Sequence, residues 1–502
     1  MKKVLETIRA KYANAILDIA ESLPNFNGSV IADFQDRRKY QRKAAKEDFD
    51  RSRLPEGVEV RLNSFTLIRL YLVEDFRTLE VWIRDLFPKS ILQPFQPREL
   101  LGESDSLRGS SWAAVGTIVA KRGGRIFPGE TAIIPSLPPE IKSISVTSHR
   151  VLPSLLALSF ETRLADTVST DLERLQRQSY LSEIKFSSWL PFTLRRWGSS
   201  ELSPDQVRER TIHNFVDSVR AKADKFLSRH TPTPSTTDRN LFSIDEYRLS
   251  SKSEAPVIER ASWAWQFGFA WSFYCFKQTI ATVMLEDATG RLEYPHRVVA
   301  LNNPRVGSIE NVGIQDVTHE LIPLLSITKI LSRSENLVGS LRSRVFQRMS
   351  GKSVHARLKN SIPGSFWRDI RLNSDLQTSR MLLARLWLEY EQQRESIVYS
   401  ASGLKEFVHS NELFRSQKES TNLLEFLQKA ITRNFELVSK HMELASESFS
   451  VHVALRDTAV TYGLGLIVLS LTIVTAVATI LGVIGSWSAI VYGFKSLIGY
   501  LK

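Results

Sequence analysis

Apolar side chains change their spacing along this chain, from helical to alternating and back, and the chain ends in a long run without charge. Near the start, Val4, Ile8, Tyr12, Ile16 and Ile19 recur at helical spacing, so residues 1–55 are expected to be helical. From Val58 the period drops to two: Val58, Val60 and Leu62 alternate, and the segment from Phe65 to Leu72 is rich in strand formers. A helix follows with Phe76, Leu79, Trp82, Ile83 and Leu86 on one face, stopped by Pro88. Further strands are predicted at 112–120, 141–147 and 155–161, and helices at 166–181 and from Ser203-Pro204 to about His230. The stretch 231–257 opens Thr-Pro-Thr-Pro-Ser-Thr-Thr and reads as a linker. Beyond it, Trp263, Trp265, Phe267, Phe269, Trp271 and Phe273 hold every second position, the mark of a strand with one heavily buried face. The turn at 287–290 and the run Val298–Leu301 suggest its hairpin partner.

Helical spacing returns after Pro363. No proline follows, and no glycine lies between Gly403 and Gly463, so a long uninterrupted helix fits there. Leu424, Ile431, Val438 and Ala445 fall seven apart, with Phe435, Met442 and Phe449 as a second row. Such a seam serves a bundle or a coiled coil, and a stalk that packs on copies of itself is the expectation.

From Thr458 to Phe494 no residue is charged. A bilayer crossing takes about 20 apolar residues, and 37 in one helix would reach roughly 55 Å against about 30 Å of hydrocarbon. Two spans are therefore expected, 459–480 and 486–501, turning at Gly482-Val483-Ile484-Gly485-Ser486; one span plus an interfacial helix is the alternative. Arg456 precedes the run, and Lys495 and Lys502 lie at its end, which would place both termini in the cytoplasm beneath an inner (cell) membrane.

The expected fold class is thus an α+β cytosolic region of mixed, largely antiparallel strands with helices, then a helical stalk and a transmembrane hairpin. Its domains are 1–230, a linker at 231–257, 258–375, the stalk at 376–457, and 458–502.

Composition adds a formal charge of +12, which favours phospholipid headgroups, a nucleotide or nucleic acid as partners. Cys275 is the single cysteine, so an internal disulfide is excluded, in keeping with a reducing compartment. Arg37, Arg38, Lys39, Arg42, Lys43 and Lys46 are interleaved with acids and read as a solvated helix face. Residues 336–374 are more one-sided. Arg342, Arg344, Arg348, Lys352, Arg357 and Lys359, with Arg368 and Arg371, face one acid, Asp369, and make a candidate site for an anionic ligand. Gly351-Lys352-Ser353 lacks the earlier glycine that a phosphate-binding loop needs.

On a helix, Thr461, Gly465, Val468, Thr472, Thr475, Thr479 and Gly482 form one stripe of small and hydroxyl-bearing residues. It suits close helix packing, or the lining of a weakly selective pore in a homo-oligomer. The nine histidines form no His-Glu-x-x-His pair, and there is no Gly-x-Ser-x-Gly elbow, dinucleotide fingerprint or kinase set. No cofactor, metal or catalytic residue is therefore expected.

An α/β region, a stalk helix and a two-span C-terminus together resemble the CorA family of magnesium channels in layout, mainly over residues 376–502. That resemblance implies an oligomeric channel gated by its cytosolic part. The family's Gly-Met-Asn signature is absent, with Gly482-Val483-Ile484 in the equivalent place, so magnesium selectivity does not carry over. The layout is also similar to membrane effectors of prokaryotic defence systems, in which a cytosolic sensor opens a membrane leak. An adaptor that binds an anionic partner at the membrane, without a pore, is the alternative.

Overall fold

The computed structural model describes residues 12, 14–24, 30–52, 58–88, 112–121, 130–181, 183–186, 199–234, 242–251, 273–276, 283–286, 296–302, 314–349, 363–409 and 422–500. It divides into two units, residues 1–332 with 386–433, and residues 333–385 with 434–502.

The first unit is built on a ten-stranded mixed sheet. Its strands are β1 (Val58–Leu72), β2 (Trp112–Val119), β3 (Glu130–Ile133), β4 (Ile141–Leu152), β5 (Leu155–Leu164), β8 (Phe242–Ser251), β9 (Phe273–Phe276), β10 (Val283–Glu286), β11 (His296–Asn302) and β12 (Phe407–His409). Across the sheet the order is β12-β9-β10-β11-β8-β1-β5-β4-β2-β3, and a separate two-stranded ribbon pairs β6 (Glu183–Phe186) with β7 (Ser199–Leu202). All pairs in the large sheet are antiparallel except β8 with β11 and β2 with β3. The expected α+β region of largely antiparallel strands is present.

One face of the sheet is apolar because alternate residues of its central strands are. Phe65, Leu67 and Tyr71 of β1, Ile144 and Val146 of β4, and Leu158 and Phe160 of β5 bury there. Three helices cover this face: α2 (Phe76–Leu86) through Phe76 and Leu79, α3 (Asp166–Gln176) through Val168 and Leu172, and α4 (Pro204–His230) through Val216, Val219, Ala223, Phe226 and Leu227. The start of α4 is set locally: Pro204 holds its first turn, and the Ser203 N–H donates to Gln206 Oε1 at 3.1 Å. Burial of apolar area at about 25 cal/mol per Å² is what holds this layer. Polar bonds then fix its position. Arg69, 1 % exposed, donates to Asp224 at 2.8 Å, to Ser228 at 3.2 Å and to Thr231, while its guanidinium lies 5.7 Å from the Phe160 ring centre. Arg220 does the same from the helix side, reaching Asp245 of β8 at 2.6 Å over the Phe65 ring.

Several expectations change. Residues 242–251, expected in a linker, are the strand that pairs with β1, so no domain boundary falls there. Its charged residues disguised it: Asp245 and Glu246 are buried, and Asp245 is tied to Arg220. The run Val298–Leu301 lies in β11, which pairs with β10 and β8 and not with β9, the strand that Phe273 opens, so it is not that strand's hairpin partner; the rest of the aromatic run lies outside the described residues. In the N-terminal basic run, Arg38 departs from a solvated face. It is buried in α1 (Val30–Ser52) and pairs with Asp18, while Gln35 Nε2 donates to Ala20 O at 3.0 Å.

The second face of the sheet meets the first half of α5 (Ile314–Met349). His319 of this helix stacks on Trp112 of β2 at 4.5 Å between ring centres and lies 5.1 Å from His149 of β4. Glu320, next in sequence, accepts the backbone N–H groups of Gly403 and Leu404, in the turn that leads into β12. Helix α6 (Pro363–Ser400) adds Glu389, whose carboxylate accepts the Ser154 N–H at 3.0 Å and its hydroxyl at 2.6 Å.

The second unit takes its buried residues from three helices: Val338 of α5, Leu376 and Leu383 of α6, and Val438, Met442, Ala445 and Phe449 of α7 (Leu423–Tyr500). The seven-spaced seam of α7 is thus buried within its own chain, from Leu424 and Ile431 in the first unit to Phe449 in the second. A stalk that packs on copies through this seam is corrected by that burial.

Helix α7 is continuous for 78 residues and runs straight through 482–486, where a turn was expected. Glycine costs a helix about 1 kcal/mol, and without proline two such residues do not end one. The long apolar helix is present; the hairpin is not.

Candidate functional site

The terminal helix carries the first group of predicted site residues. Thr461–Ser496 is a 36-residue stretch that contains an 18-residue window of mean hydropathy 2.6 with none of that window buried in the protein, and it is long and apolar enough to cross a membrane. Thr461, Gly465, Val468, Thr472, Thr475, Thr479 and Gly482 all lie on it and are all exposed. At 100° per residue they fall within about 100° of arc, so the stripe exists as one face. A Cβ added at Gly465 or Gly482 would meet nothing within 4 Å. The hydroxyls are not left seeking partners. Those of Thr461, Ser470, Thr472, Thr475 and Thr479 each donate to the carbonyl four residues earlier, at 2.8 Å. A threonine bonded in this way has its only proton satisfied and can sit in hydrocarbon without a partner helix or a water file.

The second predicted group, the basic stretch, is brought together less well. Positions 342, 344 and 348 lie on α5, where 344 and 348 are one turn apart and 342 is about 200° round the helix from 344. Lys352, Arg357 and Lys359 lie outside the described residues.

A third group was not anticipated, and strand register assembles it on the second face of the sheet. One row across β8, β1, β5 and β4 reads Glu246, Ser64, Arg163, Ser143. The next, across β1, β5, β4 and β2, reads Thr66, Glu161, Ser145, Thr117. Beyond them Ser159 pairs with Thr147, then Ala157 with His149. Bulges build this arrangement. The shift between Leu62 and Ser64 in β1 lets Leu62 and Phe65 both enter the apolar core while Ser64 turns to Glu246. A similar shift between Ile141 and Ser143 in β4 does the same for Ser143. Bulges re-aim side chains in this manner beside many functional sites.

The floor is polar yet largely buried. Ser64, Thr66, Ser143, Thr117 and Glu246 are each at most 4 % exposed, while Glu161, Arg163, Ser145 and Thr147 are half-buried. Ser64 donates to Glu246 at 2.7 Å, and Arg163 donates to Glu161 at 3.1 Å. Burial, reinforced by the neighbouring Glu161 carboxylate, pushes Glu246 up to about 7 despite the Ser64 bond. Ser145 Oγ is buried with no hydrogen-bond partner among the described residues.

At the far end, His149 Nε2 and Ser159 Oγ are 3.0 Å apart, and Ser159 also donates to Thr147 O at 3.3 Å. Burial, then the nearby His319, hold His149 well below the ordinary histidine range, so it is neutral. With its proton directed at the Thr147 carbonyl, Ser159 is not being activated as a nucleophile by this histidine. Among the described residues, no group of three or more histidine, cysteine or acidic side chains is placed to hold a metal ion.

The alternation of Ser64 and Thr66 with Phe65 and Leu67 was visible in the sequence. Period-two polarity reads the same whether the polar face meets water or protein, so its burial was not. Comparison with known protein families, with characterised proteins and with solved structures gives no match, and the chain's function is argued from its own geometry.

Proposed function

We propose that this protein is a membrane-anchored binding protein: helix α7 holds the α/β unit against the cytoplasmic face of the cell membrane, and no pore is formed. The observation that carries this reading is the 36-residue apolar stretch Thr461–Ser496, in which none of the described side chains is buried in its own chain. Exposure of so much hydrocarbon to water is unfavourable, and a bilayer removes it. The intrahelical bonds of its threonines favour an anchor over a pore, since a pore lining gains from hydroxyls free to meet water. The excess of basic residues, and Arg456 just before the apolar stretch, favour the anionic cytoplasmic side.

The helix crosses once. At 1.5 Å per residue it is about 54 Å long, and tilt alone does not bring that within about 30 Å. The surplus lies beyond Gly482, where Trp487, Tyr492 and Tyr500 suit the far interface. A hairpin in the bilayer would instead return Lys502 to the side of Arg456.

Two measurements test this. Cys275 is buried, so a cysteine introduced as Lys502→Cys is labelled selectively in intact membrane vesicles. Labelling from the side opposite the α/β unit is expected; labelling from the same side establishes the hairpin. Purified protein in planar bilayers is expected to pass no current, and a conductance abolished by Thr472→Leu would replace the anchor with an oligomeric pore.

A further inference from the structure

The first turns of α5 are seated on the sheet through rings that protons can charge. His319 stacks on Trp112 of β2, with ring planes 10° apart and centres 4.5 Å apart. Its ring centre also lies 5.1 Å from that of His149 on β4. His149 is 1 % exposed, and His319 is half-buried. Histidine is the side chain whose ordinary value, 6.5, lies closest to neutrality, so a contact between two of them is open to disruption by mild acid.

The geometry around the pair does not accommodate charge. A neutral imidazole donates from one nitrogen, whereas an imidazolium donates from both and needs two acceptors. His319 Nδ1 is buried with no hydrogen-bond partner among the described residues, so a proton placed there meets no acceptor while the helix is seated. His149 Nε2 lies 3.0 Å from Ser159 Oγ of β5, a hydroxyl rather than a carboxylate. Burial is the largest influence on both rings and disfavours their charged forms, and for His149 the next is His319 itself. Asp316, one helical turn before His319, acts the other way but is exposed and is outweighed by burial. Both rings thus take up protons less readily in the seated helix than in water. The seated state is favoured above about 6.5 and loses that advantage as pH falls.

The same turn of α5 carries Glu320, which accepts the N–H groups of Gly403 and Leu404 ahead of β12. The fit is close: a Cβ on Gly403 would lie 2.8 Å from Glu320 Oε1. A shift of this turn of α5 therefore reaches the turn before β12. Burial raises Glu320 above 4.5, so Glu320 favours the seated helix as protons are added and opposes the histidines.

We propose that His149 and His319 form an acid-sensitive latch: neutral, they hold the first turns of α5 on β2 and β4, and a proton on either ring releases those turns and, through Glu320, the turn at 402–406. The remainder of the sheet and its apolar layer stay folded. The latch does not depend on the membrane reading.

Amide hydrogen exchange of the full chain in detergent, read by mass spectrometry and corrected for the intrinsic effect of pH, tests it. Between about pH 7.5 and about pH 5.5, segments 315–325 and 402–406 are expected to exchange about tenfold faster, while 216–227 of α4 keeps its protection. His319→Phe leaves a ring on Trp112 that takes no proton, and His149→Gln leaves a polar group for Ser159. Each is expected to reduce the acid response, and the two together to abolish it, in chains shown to be folded by circular dichroism. The unaltered chain alone keeps the test valid where a variant fails to fold. No acceleration in that chain, an equal acceleration in α4, or a full response in the folded double variant overturns the proposal.

Discussion

At the scale of single residues, the molecule depends on a few charged groups buried with their partners. Arg69 is 1 % exposed and bound to Asp224. Removing one member of such a pair strands the other, at a cost of about 3 kcal/mol or more. Asp224→Ala is therefore expected to lower the unfolding midpoint in urea, with a smaller loss for Asp224→Asn, which keeps an acceptor. Glu246 makes a prediction in pH. Its ordinary value of 4.5 is raised to about 7 in the folded chain, so between those values the unfolded chain releases a proton that the folded chain keeps. Stability from this group falls as pH rises through that window and levels off above about 7. His149 acts in the opposite direction: its affinity for protons is lowered from 6.5, so its contribution is present above that pH and lost as pH falls. Glu246→Gln is expected to remove the fall in stability between about pH 4.5 and 7 and leave the loss due to His149; an unchanged profile would remove Glu246 as its source.

At the scale of elements, the apolar layer was largely legible and the polar layer was not. Helix α4 begins at its serine-proline signal and ends at His230, and β1 and α2 follow in the predicted order, because amphipathic periods record burial directly. Strand β8 reads as linker in the sequence because mixed polar residues follow the Thr-Pro run, and only the partners of Asp245 and Glu246, Arg220 and Ser64, explain their burial. Bulges are equally silent in sequence, since one extra residue shifts a face without changing composition. Gly116 gives this a test. It sits at the β2 bulge, where an added Cβ would lie 2.3 Å from the Phe87 ring and 2.8 Å from Glu130 O. Gly116→Ala is expected to destabilise the fold by roughly 1–3 kcal/mol, the range for overpacking, measured by denaturant unfolding. Phe87→Leu in that background should recover part of the loss; no recovery would place the strain at the backbone contact.

At the scale of the whole molecule, one apolar tail decides where the protein works. Its existence was plain from the uncharged run, but its continuity was not, because two glycines suggest a turn that helix propensity alone does not enforce. The seven-spaced seam showed the same limit: its period gave burial correctly, while its partner proved to be the chain itself. The account rests on Thr461–Ser496 lying in a bilayer. The direct measurement is fractionation of cells expressing the full chain and a chain ended after Asp457, with membranes washed in alkaline carbonate. The full chain is expected to stay in the washed membrane pellet and the shortened chain in the soluble fraction; a full chain released by carbonate would contradict the anchor.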